Sequence, residues 1–110
     1  MKRTVFALAR YRDVPAAAGF LGTAFGFIPH EVSNNHVEML VGDDMIMLGE
    51  GKPGGPGIYV AVDDPDAHHD RALAAGARIT MELVEQPYGS REYACEDPEG
   101  NAWFFGTYRP

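Results

Sequence analysis

Two stretches of this chain read with a period of two. Over residues 36–41 His36, Glu38 and Leu40 alternate with Val37, Met39 and Val41, and over 58–62 Ile58, Val60 and Val62 alternate with Tyr59 and Ala61. A period of two predicts strands with one face turned inward. Phe20, Leu21, Ala24 and Phe25 fall instead at helical spacing. Before them Asp13 suits the N-cap and Pro15 the first turn, and after them Gly26 suits the stop. Gly19 and Gly22 weaken this helix by about 1 kcal/mol each relative to alanine, while letting its backbone approach a sheet closely. The same punctuation returns at Asp64-Pro65-Asp66, with Gly76 as the stop and Ala67, Leu73, Ala74 and Ala77 as a small apolar surface.

Further strands are predicted over 4–11, within 27–34, and over 45–48, 78–84, 91–96 and 102–108. Gly42-Asp43-Asp44 reads as a hairpin turn. Asp97-Pro98-Glu99-Gly100 is a second turn, in which Pro98 presets φ, Asp97 bonds its own backbone and Gly100 accepts positive φ. Residues 49–57, rich in glycine and holding Pro53 and Pro56, are the one linker-like segment. The order strand, capped helix, three strands therefore occurs twice, at 4–49 and at 58–108, within one domain of residues 1–110. Asp13 corresponds to Asp64, Gly26 to Gly76, and the Met45–Leu48 run MIML to the aromatic run from Trp103. One such unit cannot bury its own sheet face, so the two must pair, giving an α+β domain with curved sheets around a groove.

Composition narrows the partners. With 45% hydrophobic and 23% charged residues the chain is an ordinary globular domain, able to build a core without metal or disulfides. A net charge of −7 argues against a nucleic-acid partner and permits a cationic one. The single Cys95 excludes an internal disulfide, and it reads as a buried structural thiol. The apolar run 5–9 is too short for a signal peptide, and no window is long enough for a membrane span, so the expected location is cytoplasmic with no membrane partner.

Candidate chemistry is sparse. His36 and Glu38 share a strand face, and with His30 and Glu31 nearby they could supply a two-histidine, one-carboxylate set, but a solvated polar face explains the same spacing. His68 and His69, about 100° apart on a helix, read as two surface histidines. Ser33 and Ser90 lack a nucleophile-elbow context, and the glycine run lacks a phosphate-loop pattern. Arg91 and Glu92 point to opposite faces of their strand, so one could face the groove and the other the rim. Trp103 and Phe105 share one face, Phe104 and Tyr108 the other; one face should pack on helices and the other line the groove.

The order of elements and the tail GSREYACEDPEGNAWFFGTY resemble the vicinal oxygen chelate superfamily of glyoxalases, bleomycin resistance proteins and dioxygenases. The run Glu85-Gln86-Pro87-Tyr88-Gly89-Ser90-Arg91-Glu92 with the Asp-Pro-Glu-Gly turn is similar to the bleomycin-resistance-like, glyoxalase-like branch. The resemblance implies two βαβββ repeats with mixed sheets (the glyoxalase/bleomycin resistance fold), a homodimer and a ligand groove, with the first strand exchanged between subunits in some members. It places the metal ligands of metal-dependent members near Phe6, Met47, Gly57 and Phe104, none of which suits a hard or borderline divalent cation.

The expectation is therefore a metal-independent protein without cofactor or catalytic residue. It sequesters an apolar, aromatic or cationic small molecule in a dimer groove lined by Phe6, Glu38, Met47, Tyr59, Tyr88, Arg91, Phe104 and Tyr108, with Glu38 supplying counter-charge. The alternatives are a metal-dependent glyoxalase-like lyase, isomerase or dioxygenase with a non-standard metal site, and a structural protein whose aromatics fill a subunit interface.

Overall fold

The structure, a computed structural model, describes residues 2–110. The first repeat folds as β1 (Ala7–Tyr11), α1 (Val14–Phe25), β2 (Ile28–Val32), β3 (His36–Val41) and β4 (Asp44–Glu50). The second follows as β5 (Ile58–Ala61), α2 (Pro65–Ala74), β6 (Arg78–Glu85), β7 (Arg91–Glu96) and β8 (Ala102–Gly106). Each repeat forms its own four-stranded sheet, ordered β1-β4-β3-β2 and β5-β8-β7-β6. In each the first strand lies parallel to the last and the other pairs are antiparallel, so both sheets are mixed. The α+β, twice-repeated βαβββ plan is thus observed. No helix among the described residues is long and apolar enough to cross a membrane.

Both helices start as their residues dictate. Asp13 accepts a hydrogen bond from the Ala16 amide at 3.0 Å, and Asp64 does the same for Ala67 at 3.1 Å. Gly26 closes α1 in the left-handed region, φ 77°, where a side chain would be strained. Two expectations need correction. The first strand begins at Ala7, not at residue 4: its parallel ladder starts at the pair Ala7–Ile46, and residues 5 and 6 do not pair although β4 reaches back to Asp44. The buried stripe of α2 is Pro65, His69 and Ala72, and Leu73 is exposed.

A single core joins the repeats. Phe25, at the end of α1, packs its ring tilted against those of Phe105 and Trp103, with ring centres 4.7 and 5.4 Å apart, both on β8 of the other repeat. Tyr93, Cys95, Trp103 and Phe105 have no exposed surface. Complete burial of a large apolar side chain contributes about 1.5–3 kcal/mol, so this face of β7 and β8 is the main anchor of the second sheet. Phe104, between Trp103 and Phe105, points away from the helices and stays 38% exposed. The turn of residues 97–101 ties the same hairpin to the first repeat. Glu99 accepts from the amides of Arg12 and Asp13 at 2.6 and 2.9 Å, and the Asn101 amide group donates to the Arg10 carbonyl at 2.9 Å.

Candidate functional site, an aromatic cup on the second sheet

The face of the second sheet opposite the helices carries an open cup of about 630 Å³, lined by Tyr59, Tyr88, Glu92, Phe104, Tyr108 and Pro110. Strand register builds its floor. Tyr59 of β5 lies opposite Phe104 of β8, Phe104 opposite Ala94 of β7, and Glu92 opposite Gly106. Gly57 sits at φ 97° with its missing Cβ 2.6 Å from the Phe104 ring, so the backbone there touches the aromatic face. A Cβ on Gly106 would lie 2.5 Å from Glu92 Cγ and 2.8 Å from the Tyr59 hydroxyl. Absence of a side chain at Gly106 is therefore what lets Glu92 and Tyr59 close over the strand.

The walls come from the turn after β6 and from the chain after β8. Gln86-Pro87-Tyr88-Gly89 is a turn closed by a 2.9 Å bond from the Gly89 amide to the Gln86 carbonyl, with Pro87 at the position that favours fixed φ. This puts the Tyr88 hydroxyl 2.7 Å from Glu92 Oε1, to which it donates. Buried Ser90 accepts from the Tyr108 amide at 3.1 Å, and the Tyr59 hydroxyl donates to the Tyr108 carbonyl at 3.0 Å. Tyr88 and Tyr108 then meet edge to face, with ring centres 5.9 Å apart. The carboxylate of Glu92, accepting the phenolic hydrogen, holds the Tyr88 pKa above the ordinary phenol value.

Of the eight groove residues expected from sequence, the structure brings Tyr59, Tyr88, Phe104 and Tyr108 together. Phe6, Glu38 and Met47 belong to the other sheet, where Met47 lies opposite both Leu8 and Glu38 and Phe6 precedes β1. Arg91 turns to the helix side. Its guanidinium forks onto Asp66 of α2 at 2.6 and 3.2 Å, with Glu85 at 3.4 Å, which holds the Asp66 carboxyl below its usual range. Glu92 and Pro110 are the cup residues that the sequence reading missed. A signal for Glu92 existed: Arg91 has the parity of buried Tyr93 and Cys95, which leaves Glu92 on the face of Phe104.

The histidines also differ from expectation. His68 packs 4.1 Å from the Phe105 ring centre and its Nδ1 lies 2.5 Å from the Tyr93 hydroxyl. Burial lowers its pKa to about 4, with Arg71 adding to this and a backbone hydrogen bond to Phe25 opposing it. His68 is half-buried and His69 is buried, with Asp70 at 3.0 Å and Glu82 at 2.9 Å on the two ring nitrogens of His69. They are not surface residues, because α2 lays this side on the sheet. Cys95 is buried as expected; burial first, then Asp97 and Glu96, push its thiol up to about 12.

Among the described residues the donors beside the cup and along the rows expected to hold a metal do not suit a divalent cation. His36 and Glu38 pair at 3.4 Å, but among the described residues no three His, Cys, Asp or Glu side chains converge on one point. Register puts Leu8, not Phe6, opposite Met47, and Tyr59, not Gly57, opposite Phe104. These rows offer a thioether and a phenol whose hydrogen goes to a carbonyl, where a borderline metal needs imidazole or carboxylate. A second cleft, of about 560 Å³, lies between the sheets beside β5 and the starts of β1 and β4; its edge holds Asp44, which pairs with Arg3 at 3.5 Å.

The family model for the glyoxalase/bleomycin resistance protein/dioxygenase superfamily matches residues 4–105. The chain belongs to this superfamily. Among solved structures it is similar to TioX of Micromonospora sp. ML1, with a TM-score of 0.86 at 28% identity over 98% of this chain and 100% of that one. It is also similar to the bleomycin-binding protein of bleomycin-producing Streptomyces verticillus, solved with copper(II)-bleomycin: TM-score 0.76, 25% identity, 99% of this chain and 100% of that one. The uncharacterised Mycobacterium bovis protein Mb0911c is 41% identical over 49 residues, 44% of this chain and 32% of its own length. The match thus spans about a third of that curated relative.

Proposed function

We propose that this chain is a metal-independent small-molecule binding protein of the glyoxalase/bleomycin resistance type. It sequesters an apolar, aromatic or cationic ligand, and it works as a homodimer. The observation that carries this reading is the cup itself: four aromatic rings and one buried carboxylate converge at the positions beside Phe104, on a face the core does not need. A pocket of mainly aromatic walls with few placed polar groups is what small-molecule recognition requires. Sequestration needs no base, nucleophile or metal, since binding alone protects. The description of the S. verticillus protein as bleomycin-binding adds support for binding as the activity. Apolar Val5, Phe6 and Leu8, exposed along the N-terminal edge of the first sheet, support a second subunit covering that edge.

The experiment is a thermal-shift screen of aromatic and amine ligands on chelator-treated protein, repeated after adding zinc, nickel or manganese. Stabilisation by a ligand without metal is expected, together with a dimeric mass in light scattering. Binding that appears only with metal, or turnover of a hemithioacetal or catechol, would overturn the reading in favour of a lyase, isomerase or dioxygenase.

A further inference from the structure

Acceptors dominate the hydrogen-bonding inventory of the cup; among its described lining side chains only the Tyr108 hydroxyl keeps a hydrogen to give. The Tyr59 hydroxyl has given its hydrogen to the Tyr108 carbonyl, and Tyr88 has given its own to Glu92. Both oxygens therefore present lone pairs only. Glu92, 9% exposed, keeps further acceptor capacity on its carboxylate. The rings of Tyr59, Tyr88, Phe104 and Tyr108 present π faces, which carry negative partial charge. Among the described residues no lysine, arginine or histidine lines the cup; the neighbouring Arg91 is committed to Asp66 on the other side of the sheet, and Arg109 to Asp63 at 3.2 Å. Lone pairs, π faces and a carboxylate all repel an anion and attract a cation, and net charge −7 strengthens the same preference at longer range.

We infer that the ligand of this cup is a small organic cation, an ammonium or amidinium with an apolar body, seated with its charge among the aromatic rings and facing Glu92. The inference rests on the binding reading above and narrows it from apolar, aromatic or cationic ligands to one class. Phe104 supplies the floor on which the apolar body lies, and Tyr88 and Tyr108 wall it. Glu92 neutralises the charge, and its bond from Tyr88 keeps it aimed inward.

The test compares phenyltrimethylammonium with tert-butylbenzene, an uncharged isostere of the same shape, by NMR titration of the full chain read at the Tyr59, Tyr88, Phe104 and Tyr108 ring signals. The cation should bind more tightly by a factor on the order of ten or more, as a desolvated cation–π site predicts. Glu92→Gln preserves the acceptor for Tyr88 and should remove most of that preference. Should Glu92→Gln fail to fold, Phe104→Leu serves: it keeps apolar contact but removes the π face, so it should weaken the cation more than the isostere. Equal affinity for the two probes overturns the cation assignment and leaves the binding reading standing, as does a Glu92→Gln or Phe104→Leu variant that retains the full preference. Failure of both probes to perturb any of the four rings overturns the binding reading as well.

Discussion

The Tyr11 hydroxyl donates a 2.5 Å hydrogen bond to Asp97 Oδ2, joining β1 of the first repeat to the β7–β8 turn of the second across 86 residues of chain. The same oxygen accepts from Trp103 Nε1 at 3.0 Å, while Oδ1 accepts from the amides of Glu99 and Asn101 at 3.2 and 3.0 Å. One buried carboxylate thus satisfies four donors and fixes how the two sheets meet. Tyr11→Phe removes one bond to a charged acceptor and should cost about 1.5–3 kcal/mol. Asp97→Ala orphans at least two buried donors and should cost more, roughly 3–5 kcal/mol. Urea denaturation should show the double variant losing less than the two single losses added together, because both remove the same bond. Burial, then Asp97, also raises the Tyr11 pKa, and burial, then Cys95, raises that of Tyr93, so alkaline titration should find two tyrosines ionising well after the exposed ones, with Tyr11→Phe removing one of them.

Why the βαβββ plan is legible in the sequence, and the cup only partly so, follows from the range of the interactions. Asp13, Pro15 and Gly26, like Asp64 and Pro65, act within a turn of their own positions, so the helices announce themselves locally. Phe104 is separable from Trp103 and Phe105 by alternation alone. Glu92 is different: its place depends on the pairing Glu92 with Gly106, a long-range register that needs the buried identity of Tyr93 to be known first. Arg91 looks like a groove residue until Asp66, 25 positions earlier, is seen to claim it. The inward side of α2 is equally hidden, because its apolar residues are mostly alanines that mark no stripe and only the packed sheet distinguishes His69 from Leu73.

His68 and His69 give the fold opposite pH dependences. The pKa of His68 falls from 6.5 to about 4 in the fold, so below pH 6.5 the unfolded chain binds the proton more readily. Stability from this residue is complete above 6.5 and is lost as pH falls toward 4. For His69, burial lowers the pKa, but hydrogen bonds and charge from Asp70 and Glu82 outweigh it and the net shift is upward. Its contribution is complete below 6.5 and is lost as pH rises through the folded value. Urea midpoints measured across pH should flatten on the acid side in His68→Gln and on the neutral-to-basic side in His69→Gln.

Tyr88 reports on the state of the cup. Its phenol is held above the ordinary value chiefly because Glu92 accepts its hydrogen. In Glu92→Gln the charge is gone and the Tyr88 transition should move back toward that value. Ultraviolet difference titration, with Tyr88→Phe to identify the signal, checks this. An unmoved transition would show that the 2.7 Å bond does not govern Tyr88 in solution.

Gly106 separates the cup from the fold. It lies in β8 between buried Phe105 and the chain end, and its missing Cβ would meet Glu92 Cγ at 2.5 Å and the Tyr59 hydroxyl at 2.8 Å. Both are side chains on the cup face, free to give way outward, whereas the core face behind carries Trp103 and Phe105. Gly106→Ala should therefore push Glu92 and Tyr59 into the cup and break the Tyr59 bond to the Tyr108 carbonyl. Overpacking of this kind costs about 1–3 kcal/mol, which leaves a folded protein, while occupied space in the cup should reduce ligand affinity at least roughly ten-fold. Calorimetric titration beside a urea unfolding curve distinguishes the two effects. A variant that binds as tightly as the parent would mean that ligands sit elsewhere, with the cleft between the sheets as the next site to probe.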